Sequence, residues 1–233
     1  MTILRARGVV KSYGRTAALR GVTIDVAEGE ILAVTGPSGC GKSTLLHCLA
    51  GILRPDAGEV TYGGHRLDTW SERMRSRLRR TEFGVLFQFG QLVAELTAAE
   101  NVALPLLLAG TGRREARTAA EGWLDRLGVA DVADARPGEM SGGQQQRCAV
   151  ARALVTEPRV LFADEPTGAL DSRTSEALLG ELVRLAREQR TTVLLVTHDV
   201  QVAAYADREV SLRDGVVDAS GLGLTAAQGR HGR

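Results

Sequence analysis

Residues 36–44 read Gly36-Pro37-Ser38-Gly39-Cys40-Gly41-Lys42-Ser43-Thr44. Gly36 followed at a fixed offset by Gly41-Lys42-Ser43 is the spacing of a phosphate-binding loop, provided a strand precedes it and a helix follows. Both conditions are met. Ile31-Leu32-Ala33-Val34 is a short apolar run on one side, and Leu45 to Ala50 has a helical pattern on the other. Glycine is needed because a side chain would keep the backbone from a polyphosphate. The freed amides and the positive end of the new helix then face the anion. Lys42 can reach the terminal phosphates, and the Ser43 hydroxyl can ligate Mg²⁺.

Working outward, residues 3–35 read as β-structure: Val9-Val10, Val22 to Val26, a turn at Gly29 and the strand into the loop. The helix after the loop is expected to run to about Leu53 and to stop before Pro55. Gly58 to Gly64 reads as a strand and turn, Ser71 to Arg80 as a short basic helix, and Phe83 to Phe87 as a buried strand ending at Gln88. Residues 97–156 look helical throughout. Thr97 and Glu100 form a capping box, and Pro105 marks a first turn or a kink. Arg113 to Leu127 is a helix with Ala116, Ala120, Trp123, Leu124 and Leu127 on one side and Gly128 as its stop. Another helix starts near Gly143. From Val160 strands alternate with helices again: Val160 to Ala163, a helix over 172–188, Thr192 to Val196, a short helix, and Arg208 to Leu212. That alternation predicts a mainly parallel sheet with helices on both faces and a helical block inserted into it.

Composition narrows the classes. The 233 residues suit one large domain or two small ones, and 44% hydrophobic content supports a sizeable core. With 29 basic against 28 acidic residues, net charge is +1 and gives no argument for nucleic acid. Three isolated cysteines, Cys40, Cys48 and Cys148, fit a reducing compartment. The first residues lack a signal-peptide core, and the longest apolar run, Val102 to Ala109, falls short of the ~20 residues of a spanning helix, so a membrane role would come through a partner. The arginines at 73, 75, 77, 79 and 80 read as a solvated face, Cys40 as an ordinary small residue, and Trp70 and Trp123 as packing residues.

A second motif follows at Val160-Leu161-Phe162-Ala163-Asp164-Glu165. Two carboxylates appear at the C-terminal end of an apolar strand, the edge where open parallel sheets bind ligands. Asp164 is placed to hold Mg²⁺ and Glu165 to polarise a water, although the pair could simply cap the next turn. A third segment, Met140-Ser141-Gly142-Gly143-Gln144-Gln145-Gln146-Arg147, opens a helix with a hydroxyl and exposed amides, the makings of a second anion site.

Together these segments resemble the nucleotide-binding subunit of ATP-binding cassette transporters, over about residues 3–218. The resemblance implies an α/β fold: a phosphate-loop NTPase core with a mainly parallel sheet, an N-terminal antiparallel β subdomain and an inserted α-helical subdomain. It implies one ATP-binding domain over 2–220, with the helical part at about 89–156 and a flexible tail at 221–233. ATP and Mg²⁺ are the implied cofactors. Tyr13 would lie against adenine, Gly36 and Ser38 through Thr44 would surround the phosphates, and Ser43, Gln88 and Asp164 would take the metal. Glu165 would activate water, assisted by His198 at the γ-phosphate, by Gln88 and by Lys42. Ser141, Gly142, Gly143 and Gln144, with Asp171 in Gly168-Ala169-Leu170-Asp171, would close over the nucleotide of a second copy. The family often has Ser where this chain has Gly168. Asp171 could also be only a helix cap, and a lone Tyr13 or His198 would ordinarily be structural.

Residues 88–97 and 100–107 further resemble the subgroup serving lipoprotein-releasing and macrolide-exporter systems, as do Asp164-Glu165-Pro166-Thr167-Gly168 and Gln144-Gln145-Gln146. The implied partners are a second copy, in an ATP-sandwich homodimer, and an integral membrane permease subunit, FtsX-like or MacB-like. That subunit would dock in a groove around 89–101 where Phe89, Leu92, Val93 and Leu96 are partly exposed. The implied location is the cytoplasmic face of the membrane, and no nucleic acid is expected. An uptake-system ATPase is the alternative. Chromosome-associated cassette ATPases would need long coiled coils between Lys42 and Ser141, for which this chain has no room.

Overall fold

Apolar side chains alternate along the central strands, and each strand therefore feeds two cores. The computed structural model describes residues 1–87, 92–168 and 170–218. The chain opens with a long hairpin, β1 (Thr2–Tyr13) and β2 (Thr16–Ala27). Strand β3 (Ile31–Thr35) then runs into the phosphate loop and helix α1 (Lys42–Leu49). Strands β4 (Ala57–Tyr62) and β5 (His65–Arg66) return to the hairpin and complete an antiparallel sheet ordered β2-β1-β4-β5. Helix α2 (Glu72–Thr81) leads to β6 (Phe83–Leu86). Three helices follow: α3 (Ala98–Ala109), α4 (Arg113–Arg126) and α5 (Gly142–Leu154). The remainder alternates β7 (Val160–Asp164), α6 (Ser172–Gln189), β8 (Thr192–Val196), α7 (Val200–Ala203), β9 (Arg208–Arg213) and β10 (Val216–Val217). The second sheet is ordered β10-β9-β3-β8-β7-β6, parallel from β9 to β6 with β10 antiparallel at one edge.

Leu32 and Val34 of β3, Phe162 of β7 and Leu194 and Val196 of β8 pack with α1 and the antiparallel sheet. Ile31, Leu161, Ala163, Val193 and Leu195, their sequence neighbours, pack on the opposite side with α3, α4, α5 and α6. Period-2 alternation thus places one sheet between two layers. Helix α5 presses directly on β6, because a Cβ on Gly84 would come within 2.2 Å of the Ala153 carbonyl oxygen. The mixed α/β class expected from sequence holds, with its antiparallel β part and its parallel-rich sheet.

Three local expectations need correction. Helix α1 ends at Leu49, not near Leu53, because Gly51 adopts φ +64° and closes the helix. The Gly51 amide donates to the Cys48 carbonyl (3.1 Å) and the Ile52 amide to that of His47 (2.9 Å), a glycine-dependent cap that acts four residues before Pro55 could. Residues 97–156 are not helical throughout. Gly128 turns at φ +66°, and short 3₁₀ turns at Ala130–Val132 and Pro137–Glu139 carry the chain to α5. Pro105 sits in the middle of α3, which continues through it. The capping box of Thr97 and Glu100 is present as expected. All three cysteines are free and buried, and burial pushes the Cys48 and Cys148 thiols up to about 11. The expected tail at 221–233 lies outside the described residues.

Candidate functional site

The phosphate loop is held by contacts that admit no side chain. Gly36 has φ +145°, and a Cβ there would lie 2.1 Å from the Leu212 carbonyl oxygen. Gly41 has φ +106°, caps α1, and would meet the Ala18 carbonyl oxygen at 2.3 Å. Strand β9 and the first hairpin therefore fix both ends of the loop through main-chain contacts. Gly39 also turns at φ +80°. Lys42 is buried, and its Nζ donates to the carbonyl oxygens of Gly36 (2.8 Å) and Pro37 (3.0 Å). Lys42 thus occupies two carbonyl oxygens of the loop from within, and the Cys40 amide donates back to the Pro37 carbonyl (3.3 Å).

Ser38 and Gly39 are exposed, Cys40 is buried beneath them, and Ser43 is exposed in the first turn of α1. Asp164 ends β7 beside this turn. Burial pushes its carboxyl up, and a hydrogen bond from the Ser43 hydroxyl opposes the rise. Its Oδ1 is buried without a hydrogen-bond partner. An orphaned carboxylate oxygen next to a hydroxyl is a donor set that a hard, oxygen-seeking cation fits. Among the described residues no group of three or more His, Cys, Asp or Glu side chains could hold a metal. A cation here would therefore keep water or phosphate oxygens in its shell, as Mg²⁺ does. His47, one turn into α1, is pushed below the usual imidazole range by burial, with Asp164 opposing.

Glu165 adopts φ +46°, a left-handed conformation that is strained for a residue carrying a Cβ. Its amide donates to the Val196 carbonyl (2.9 Å) at the end of β8. One carboxylate oxygen meets His198 Nδ1 at 2.6 Å, and the other accepts the Thr197 hydroxyl at 3.2 Å. Thr197 in turn takes the Asp199 amide on its hydroxyl oxygen (3.0 Å). With the carboxylate as acceptor, Nδ1 is the donor of this pair, and Nε2 donates as well in the imidazolium form. The Glu165 side chain is 14% exposed and that of His198 59%, so the pair sits at a mouth, not in the core. A cavity of about 770 Å³ opens beside them, lined also by Arg173, Asp199 and Tyr205. Sequence reading missed Thr197, which carries no motif signal apart from its position before His198.

A second cluster gathers elsewhere. Ser141 caps α5 by accepting the Gln144 amide (3.2 Å), and the Gln144 side chain accepts the Ser141 amide (2.9 Å). Gly143 approaches Thr174 in the first turn of α6, where a Cβ would stand 3.4 Å from its methyl. Asp171 caps α6 through the Thr174 amide (3.0 Å) and hydroxyl (2.7 Å), bonds that hold its carboxyl below the usual range. Ser141, Gly142, Gly143, Gln144, Asp171 and Thr174 line one recess of about 600 Å³. Among the described residues no hydrogen bond joins this cluster to residues 36–44. Gln146, fully inside α5, donates to the Pro166 carbonyl oxygen and so ties the Ser141 helix to the turn after Glu165.

Tyr13 is 52% exposed at the end of β1. Gln88 lies outside the described residues, as do Phe89, Gly90, Gln91 and Ala169. In the rest of the expected groove, Leu92 and Leu96 are half-buried and Val93 is exposed. Asn101, completely buried, accepts the Val93 amide (2.7 Å) and donates to the carbonyl oxygens of Val93, Leu96 and Thr97, which fixes that surface from behind. No helix among the described residues is long and apolar enough to cross a membrane.

Comparison with known proteins gives the family. Residues 19–168 match the family model described as ABC transporter. The lipoprotein-releasing system ATP-binding protein LolD of Koribacter versatilis is 49% identical over 84% of this chain and 88% of its own length. That of Porphyromonas gingivalis is 44% identical over 92% of this chain and 98% of its own. Among solved structures, the dimeric post-hydrolysis state of the ATP-binding cassette MJ0796 bound to ADP and Pi superposes with a TM-score of 0.87. It is 37% identical over 93% of this chain and 97% of that one. The chain belongs to the ABC transporter family and is an ATP-binding, ATP-hydrolysing subunit of it.

Proposed function

We propose that this chain powers a lipoprotein-releasing type of export system by clasping two ATP molecules between two copies of itself. The observation that carries the reading is the separation of its two anion-binding features. The loop at 36–44 sits at the sheet edge beside Asp164 and Glu165, whereas the Ser141 turn shares a recess with Asp171. One copy's Ser141 turn would cover the γ-phosphate held by the other's loop, under two-fold symmetry. The LolD names of relatives at 44–49% identity and the dimeric form of MJ0796 support the same reading.

In this reading Lys42 moves from its own loop carbonyls to the terminal phosphates. The loop amides and the α1 N-terminus bind the remaining phosphate oxygens. Ser43 and Asp164, with Gln88, would hold Mg²⁺, which neutralises the charge developing on the phosphates. Glu165 accepts the proton of the attacking water, and His198, fixed through Nδ1, presents Nε2 to the γ-phosphate region. Thr197 keeps the second Glu165 oxygen in place. Tyr13 stacks on adenine. Loss of the γ-phosphate removes the group both copies share and lets them part. The surface at 89–101, braced by Asn101, would carry that motion to a membrane subunit and hold the chain at the cytoplasmic face of the membrane.

Substituting Ser141→Arg tests the two-copy site. ATP binding to the isolated chain should be unchanged while turnover disappears, because the arginine blocks closure without touching the phosphate loop. Loss of binding by the single chain would overturn the arrangement.

A further inference from the structure

Ladder pairing of β1 with β4 ends at Val10 and Ala57. Beyond it, residues 11–13 are paired only toward β2, and that pairing slips in register between Lys11 and Ser12. The last three residues of β1, including Tyr13, would thus be a loosened strand end. Asp56 repairs this. Its amide donates to the Val10 carbonyl (2.8 Å), and its carboxylate accepts the Ser12 amide (2.7 Å) where a β4 residue would otherwise stand. The same carboxylate takes the Lys11 ammonium at 2.7 Å, and the Lys11 side chain is only 18% exposed. Lys11 also lies within electrostatic reach of Cys48 in α1 and of Tyr13 itself. The two partners agree: the Asp56 carboxyl is held down by Lys11 and the Ser12 amide, and Lys11 is held up by Asp56.

The position of this clamp is what gives it a role. Asp56 is joined to α1, the helix opened by the phosphate loop, by the short segment 50–55. On the other side, Ala18 of the same hairpin closes on Gly41. Tyr13 is thus tied to the loop along two routes, through β2 and through Asp56. We infer that Asp56 is a positioning residue for the adenine site: its carboxylate sets the Tyr13 ring at a fixed distance from the phosphate loop, and so contributes to recognition of the base and not of the phosphates. This rests on the reading of Tyr13 as the adenine platform.

Two ligands separate base from phosphate binding: ATP and inorganic tripolyphosphate, titrated calorimetrically into the purified full chain without Mg²⁺. A stacked aromatic contact is worth up to about tenfold in affinity, so Tyr13→Ala should weaken ATP by about 10-fold and leave tripolyphosphate unchanged. Asp56→Ala, which leaves the ring present but loosely held, should weaken ATP by about 3- to 5-fold, again with tripolyphosphate unchanged and with no further loss on the Tyr13→Ala background. Asp56→Asn, which keeps an acceptor for the Ser12 amide, should restore most of the affinity. Equal weakening of both ligands by Asp56→Ala would overturn the inference, since a general disturbance of the loop would act on the phosphates too. If Tyr13→Ala weakens ATP and Asp56→Ala does not, the clamp fails while the adenine platform stands. If neither does, the platform itself is wrong and the clamp falls with it.

Discussion

Glu165 should be more stable as glycine than as alanine, although both variants lose hydrolysis. Either substitution removes the bonds to His198 and Thr197, so those losses cancel in the comparison. What remains is the backbone at φ +46°. A left-handed conformation costs a residue with a Cβ about 1–2 kcal/mol, and glycine almost nothing. Glycine's extra freedom in the unfolded chain takes back about 0.4–1 kcal/mol. The net should favour Glu165→Gly over Glu165→Ala by about 1 kcal/mol, or about 2–4 °C in Tm for a chain of this size. Urea denaturation of both variants without nucleotide measures it directly, provided the two m values agree. An alanine variant as stable as the glycine one would mean that the Glu165 backbone is unstrained.

Three further outcomes are expected. Glu165→Gln should retain ATP binding, hydrolyse at least ~100-fold more slowly and accumulate as an ATP-bound dimer; normal turnover in a monomer, read by phosphate release and light scattering, would contradict the general-base role. Gly36→Ala should abolish nucleotide binding, because its methyl would meet a main-chain oxygen at 2.1 Å and β9 or the loop must shift; calorimetry showing near-normal affinity would refute it. For Asp164 the sign follows from burial, which holds its carboxyl above the unfolded value. The folded chain binds that proton more tightly than the unfolded one, so the ionised group lowers stability as pH rises through the carboxylate range. Asp164→Asn should therefore be more stable than the parent at pH 7 without ligand, with the gap narrowing as pH falls, and should lose the extra thermal stabilisation that Mg²⁺ adds to ATP. A gap that stayed constant with pH would reject the burial argument.

Much of the fold is written in local signals. Gly36 and Gly41-Lys42-Ser43, the apolar runs at 31–34, 160–163 and 192–196, and the Thr97–Glu100 box each announce their element within a few neighbouring residues. Misjudgements arose where two stop signals competed. Pro55 drew the end of α1 outward, but the glycine at 51 closed it first, its amide donating back to the Cys48 carbonyl. Gly128 was legible as a stop, but helical composition over 97–156 concealed the short 3₁₀ turns at 130–132 and 137–139 that follow it, because alanine and charged residues fill both helices and loops there. For the site, the end of each strand was legible, whereas the partners across the fold were not. Thr197 meets Glu165, Gln146 meets Pro166 and Asp56 meets Ser12 only because strands and helices distant in sequence are stacked together. Nothing in the local spacing of a single chain encodes those pairs.

Gly36, Gly41 and Gly215 share one property with a consequence for how such chains can diverge. At each, the atom that a methyl would strike is a main-chain oxygen, of Leu212 or of Ala18. A side chain in the way can be trimmed by a second mutation, but a carbonyl belongs to the backbone whatever residue carries it. No compensating substitution at 18 or 212 can therefore make room. This corner of the molecule resists stepwise drift, whereas positions such as Gly122 of α4 and Gly180 of α6, where an added Cβ meets no atom within 4 Å, are free to vary.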